Sequence, residues 1–205
     1  MAPSTGRAQL APPSVEDAVL AEVNRARQDP AGIVRALRLY RATLRGLIAH
    51  GPRRHQGVRT VEGAAAVDEA IAFLERQPSM PPLAPSALLG RAARALMAEQ
   101  ARTGVIGHRS DDGGDSAGRV RAAGGGEAVG ETIAYGYSDP AAVVRQLIVD
   151  DGVPDRGHRS LLFSHQFKFA GASCATHPRY RHACTINFAP TVDAHWTRPE
   201  QLASR

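Results

Sequence analysis

Aromatic side chains are scarce in this chain. Phe, Tyr and Trp together make up 5% of its 205 residues, so a core has to be assembled mainly from Ala, Leu, Val and Ile. Hydrophobic residues reach 43%, which is enough for one sizeable domain. No apolar run approaches the length of a membrane helix. Residues 1–14 lack the apolar centre of a signal peptide, and their Pro/Ser/Ala composition reads as a disordered arm. That leaves a cytoplasmic chain, or a mature form carrying an added Met. Charge of one sign is not concentrated either. Twenty-five Lys and Arg against 20 Asp and Glu give a net +5, mostly from Arg. This falls short of the dense basic stripe of a nucleic-acid binder, so no nucleic acid is expected. Acidic glycans and anionic lipid surfaces stay open as partners. Also missing are a His-Glu-x-x-His helix, a phosphate-cradling Gly-Lys-Ser/Thr loop and a Gly-x-Ser-x-Gly elbow.

Cysteine is nearly absent too. Cys174 and Cys184 flank a polar loop in a segment that reads as a hairpin, Lys168 to Cys174 and Cys184 to Phe188. Two cysteines so placed can meet across strands, and a disulfide there would imply an oxidising compartment. The alternatives are two small buried thiols, or a Cys-Cys-His zinc site with His177 or His182. The spacing fits no zinc module.

What the chain does have is the tetrapeptide Gly-His-Arg-Ser twice, at 107–110 and at 157–160, with Gly130-Glu131-Thr132-Ile133 between the copies. Two histidines and a carboxylate in glycine-rich settings can bind a divalent metal or perform acid–base chemistry. They can equally be turn histidines with polar neighbours. Ser110 and Ser160 invite a Ser–His pair, but such near neighbours on a turn rarely aim at each other. Asp111, Asp112 and Asp115 lack the alternation and terminal Glu of a calcium loop and read as a solvated loop.

The periodicity predicts helices around this core of motifs. Ser14 caps a helix over 15–27, with acids first and arginines last. After Asp29-Pro30, Ile33, Leu37, Tyr40, Leu44 and Leu47 recur at helical spacing. A basic loop follows at 49–59, holding His50 and His55. Thr60 caps a third helix, with Ala64, Val67, Ile71 and Leu74 on its apolar face. Residues 77–85 are extended. Ser86 caps a strong helix, in which Met97 reads as core, and Gly104 stops it. A short helix over 116–123 and a strand over 127–136 come next. Asp139-Pro140 then opens a helix that ends at Asp150-Asp151-Gly152. His158 opens a last helical turn before the cysteine hairpin. Helical blocks interleaved with hairpin strands make an α+β class.

The order of these features resembles the CAP superfamily: cysteine-rich secretory proteins, antigen 5 and pathogenesis-related class-one proteins, with the compact bacterial members nearest. The segment Val19 to Arg27 is similar to the family's opening helix, and Ala87 to Gly107 leads into a first histidine. Gly130-Glu131-Thr132-Ile133 is similar to its "G-E-N-I" element, and Arg156-Gly157-His158-Arg159 to the bacterial "G-H-R" element. The likeness covers roughly residues 15–192, as one domain over 15–195 with an insertion near 30–83, followed by a tail over 196–205. It implies an α-β-α sandwich with a cleft lined by His108, His158, Glu131 and a second acid. Asp150 is favoured for that acid, with Asp151 and Glu127 as alternatives. The cleft suits Zn2+ or another divalent cation on His108 and His158, with the carboxylates as ligands or as supports. A bracing polar network would need the same residues. The expected function is that of an extracellular or periplasmic binding or defence module, with a lipid, sterol or anionic glycan as candidate ligand. The alternative is a metal-dependent hydrolase in which Glu131 acts as base on a metal-bound water.

Overall fold

A computed structural model describes residues 13–51 and 57–196. Most of the arm expected over 1–14, His55, and the tail beyond Trp196 lie outside the described residues.

Seven helices and seven strands follow along those residues: α1 (Val15–Gln28), α2 (Pro30–Arg41), β1 (Leu44–Arg45), β2 (Ile48–Ala49), β3 (Val58–Arg59), α3 (Ala64–Arg76), β4 (Ala84–Pro85), α4 (Ala87–Thr103), α5 (Ser116–Ala122), β5 (Gly130–Tyr135), α6 (Pro140–Val149), α7 (Gly157–Leu162), β6 (Phe169–His177) and β7 (Arg181–Ala189). The main sheet has the order β4-β6-β7-β5. β6 and β7 form the long antiparallel hairpin, β5 pairs antiparallel with β7, and β4 pairs parallel with β6.

Alternation along the strands assigns the two faces. Ala170, Ala172, Cys184, Ile186 and Phe188 point into the larger core under α1, α2, α3 and α6. Phe169, Ala175, Ala183 and Ala189 point the other way, against α4 and α5. The result is an α-β-α sandwich. Small side chains on the second face let α4 lie close to the sheet. At Gly171 an added Cβ would come within 2.2 Å of the Gly90 nitrogen, so only glycine fits there. The first core is aliphatic, as the scarcity of aromatics requires. Val19, Val23, Leu37, Leu74 and Ile148 are almost fully buried, each contributing roughly 1.5–3 kcal/mol.

The helix ends follow local chemistry. Ser14 and Asp17 form a reciprocal capping box, Asp139 caps α6 ahead of Pro140, and Gly104 closes α4 in the left-handed region. Two expectations fail between residues 30 and 83. The second helix does not continue through Leu44 and Leu47. It ends at Arg41, and Leu44 lies on β1 of a small three-stranded antiparallel sheet, β1-β2-β3. Gly46, at φ 59°, turns this first hairpin, and β2 and β3 take up the ends of the expected basic loop. The helical spacing of Leu44 and Leu47 is therefore accidental. Nor does Thr60 cap the third helix. Its hydroxyl donates to the Leu47 carbonyl, and the Val61 and Glu62 amides donate to the Asp151 carboxylate, both at 2.7 Å. Where a cap was expected from the local sequence, a distant aspartate supplies the acceptors.

Candidate functional site

The two histidines reach the edge strand β5 from opposite layers. After Gly104 ends α4, the chain turns through Gly107, whose φ of 97° favours glycine. Buried Gln100 of α4 donates to the Gly107 carbonyl at 2.8 Å, and the Gly107 amide donates to the Tyr135 hydroxyl at 2.9 Å. That hydroxyl in turn donates to Gln100 at 3.0 Å. Burial pushes the Tyr135 phenol above its ordinary value, so it stays a protonated donor. This clamp fixes the peptide before His108. From the other layer, α6 ends at Asp150 in the left-handed region, and Arg156 to His158 start α7. Buried Arg159 ties the two helices by donating to the Ile148 and Val149 carbonyls at the end of α6, where a cation also complements the helix dipole.

The imidazole centroids of His108 and His158 lie 6.3 Å apart. Each ring is held through Nδ1 by a buried carboxylate: His108 by Glu131 Oε1 at 3.0 Å, and His158 by Asp150 Oδ1 at 2.6 Å. His108 is half-exposed, His158 less so, and both carboxylates are 1–2% exposed. With Nδ1 engaged, the ring nitrogen left for an outside partner is Nε2 in each case.

Glu131 sits in a saturated setting. Arg119, itself 7% exposed, donates from Nη2 to both its oxygens at 2.8 Å. The same guanidinium donates to the His108 carbonyl and the Ser110 hydroxyl, leaving Nε as its unpaired nitrogen among the described residues. Asn187, directly opposite Glu131 on β7, donates to Oε2 at 3.0 Å in the amide orientation that satisfies its neighbours. Both carboxylate oxygens therefore already accept from protein donors.

A cleft opens on both sides of the histidine pair. One lobe, of about 500 Å³, is lined by Glu131, Leu161, Ser164 and Phe167 among others. The other, of about 240 Å³, is lined by Ile133, Tyr135, Leu147 and Asp150 among others. His108 and His158 line both.

The structure thus brings His108, His158, Glu131 and Asp150 together. Asp151 turns to the amides of 61 and 62, and Glu127 pairs with Arg121 at the surface. Cys174 and Cys184 face each other on β6 and β7 and form a disulfide, so neither is a thiolate ligand for His177 or His182. Ser160 donates to the Arg156 carbonyl and Ser110 accepts from Arg119, and neither pairs with a histidine. Asp112 accepts from the Gly114 amide of its own loop, and Asp115 caps α5 by accepting from the Gly118 amide. His50 is exposed. Sequence reasoning missed Arg119, Gln100, Tyr135 and Asn187 as parts of the site. Gln100, a polar residue on the apolar face of α4, was the one visible signal.

Among the described residues no three His, Cys, Asp or Glu side chains gather as a metal-ligand set. The donors for a metal are the two Nε2 atoms, neutral imidazoles of borderline softness that suit zinc.

A family model described as the cysteine-rich secretory protein family, CAP, matches residues 20–188. Among solved structures, the chain is similar to an extracellular protein containing an SCP domain from Bacillus anthracis. The two share 20% identity with a TM-score of 0.46, over 62% of this chain and 37% of that one. This chain therefore spans little more than a third of the Bacillus protein. It is also similar to an outer surface protein from Borrelia burgdorferi, at 16% identity and a TM-score of 0.45, over 59% of this chain and 86% of that one. The search of curated proteins gives no match.

Proposed function

Because the chain belongs to the cysteine-rich secretory protein family, CAP, we propose that it is an exported binding module whose cleft takes a divalent cation on His108 and His158. The observation that carries this reading is the pair of carboxylate-held imidazoles. Each is fixed through Nδ1 and keeps Nε2 for the cleft, the arrangement by which protein ligands are oriented toward a metal. A bound ion would act as a Lewis acid open to a ligand, since two protein donors leave other positions for water or an incoming oxygen. Residues of the two lobes would contact that ligand, with a lipid, a sterol or an anionic glycan as candidates. Export is supported by the Cys174–Cys184 disulfide, a bond of oxidising compartments. No helix among the described residues is long and apolar enough to cross a membrane.

Binding is preferred to hydrolysis because of Glu131. A general base needs a free lone pair within reach of a water, and both Glu131 oxygens are engaged by Arg119, His108 and Asn187.

Zinc titration by calorimetry tests this. One ion per chain is expected in the wild type, and none in the His108→Ala/His158→Ala variant with its fold intact. Unchanged binding in that variant would refute the metal site. Turnover of any substrate in a hydrolase panel, abolished by Glu131→Gln, would refute the non-catalytic reading.

A further inference from the structure

Four arginines that are buried or half-buried donate to carbonyls or carboxylates of the protein. Arg27 donates to the Pro81, Leu162 and Ser164 carbonyls. Arg119 binds Glu131, and Arg159 binds Glu69 and the end of α6. Arg156 binds Glu62, Glu69 and two carbonyls. Arg145 is the exception. It is half-buried on α6, its guanidinium lies 4.4 Å over the Tyr40 ring and 5.8 Å from the Tyr137 ring, and among the described residues it has no acid partner. Its guanidinium nitrogens are not buried, so they stay open to a partner from solution.

Arg145 lines a cavity of about 100 Å³ between α2, β3 and α6. Arg59, exposed on β3 and without an acid partner among the described residues, lines the same cavity, together with Thr60 and Gln146. Gln146 spends its Oε1 on the Tyr135 amide, which leaves its Nε2 to donate. Burial first, and Tyr137 next, push the Tyr40 phenol above its ordinary value, so it remains a protonated donor. The cavity has one carboxylate, Asp151, and its two oxygens accept from the Val61 and Glu62 amides. The lining is thus rich in donors and holds two cations against one occupied anion.

We propose that this cavity is a second binding site, distinct from the histidine cleft, for an oxyanion: the carboxylate, sulfate or phosphate of a small molecule or an acidic sugar. The volume matches about three waters at roughly 30 Å³ each, the room needed for one such group. The contact with the Tyr40 ring restrains the guanidinium in advance, which lowers the ordering cost of a bidentate contact. Arg59 adds a second charge to the same lining. The cavity shares Gln146 and Asp151 with the smaller cleft lobe but contains neither histidine, so its occupancy does not depend on the metal reading.

The test is an NMR titration of the 15N-labelled full chain with sulfate, phosphate, acetate and glucuronate in low-chloride buffer. A single saturating site is expected, with shifts centred on the amides of 58–60 and 145–146 and on the Arg145 Nε–H. Arg145→Gln should weaken binding at least tenfold, and Arg59→Gln severalfold. His108→Ala/His158→Ala should leave it unchanged. If Arg145→Gln unfolds the chain, Arg59→Gln at its exposed position carries the test alone. Glucuronate binding more tightly than acetate assigns an acidic sugar, and tetrahedral anions binding more tightly than both carboxylates assign a sulfate or phosphate group. Shifts spread over the surface without saturation, or a saturating site indifferent to both arginine variants, would overturn the proposal.

Discussion

Asp150 holds His158 twice, through the ring and through the backbone. Its Oδ1 accepts from the imidazole Nδ1 at 2.6 Å, and its Oδ2 accepts from the His158 amide at 2.9 Å. The aspartate itself stands at φ 57° and ψ 41°, a conformation that Asn tolerates far better than Ala. Asp150→Asn therefore keeps the backbone and removes the charge behind the ring. Zinc affinity measured by calorimetry should fall about 10- to 100-fold, the usual effect of losing such a support, with little change in fold. Affinity equal to the wild type would show that the carboxylate does not orient the ring for a metal.

Arg119 and Glu131 make a buried ion pair, at 7% and 2% side-chain exposure. Removing one partner of such a pair leaves an uncompensated charge and costs about 3–5 kcal/mol. Arg119→Met should lose that much in urea unfolding. The double change Arg119→Met/Glu131→Leu should recover most of it, because no unpaired charge remains. A single variant within about 1 kcal/mol of the wild type would mean that water already reaches the pair.

Much of this was legible in the sequence because it is local. Ser14 with Asp17, Asp139 with Pro140, and Gly104 announce their helix ends in neighbouring residues, and the structure follows them. The two histidines and Glu131 stood out for the same reason: each is set in a short glycine-bearing motif. What was not legible is long-range. Asp150 and Asp151 are adjacent at the end of one helix, and helical spacing ranks them equally. The left-handed turn at Asp150 sends one carboxylate to His158 and the other to residues 61 and 62. Arg119 looked like one arginine among many, because its meaning depends on β5 arriving beside α5. The segment after α2 misled because Leu44 and Leu47 fall at helical spacing by chance, while Gly46 turns the chain into a hairpin.

Glu62 links the turn before α3 to α7 through both terminal guanidinium nitrogens of Arg156, at 2.7 Å each, and accepts from the Gly152 amide at 2.7 Å. The Arg156 hydrogen bonds, followed by Gly152, hold its carboxyl down at about 2, against an ordinary 4.5. A carboxyl depressed in the folded state stabilises fully above its unfolded value, and that contribution fades as pH falls toward the folded value. Stability should therefore decline between about pH 4.5 and 2 in the wild type. Glu62→Gln should flatten part of that slope and cost about 1 kcal/mol at neutral pH, a small figure because Glu62 is 31% exposed and screened by solvent. Parallel acid-titration curves for the two proteins would exclude Glu62 as a source of the slope.

Asp151 offers the sharpest separation of fold from site. It lies one residue beyond Asp150, but its carboxylate serves the turn before α3, accepting from Val61 and Glu62. Asp151→Ala should behave like the loss of a helix cap, costing about 1–2 kcal/mol. Amide hydrogen exchange should quicken in residues 44–49 and 58–62, which depend on that anchor, while the α4 and β5–β7 core stays protected. His158 keeps its own carboxylate, so zinc affinity should stay within about twofold of the wild type. The pair of neighbouring substitutions then gives opposite outcomes: Asp150→Asn weakens the metal and spares stability, and Asp151→Ala weakens stability and spares the metal. If both variants lost metal and stability together, the β1–β3 sheet and the cleft would form one cooperative unit, and the histidines would serve the fold as much as a ligand.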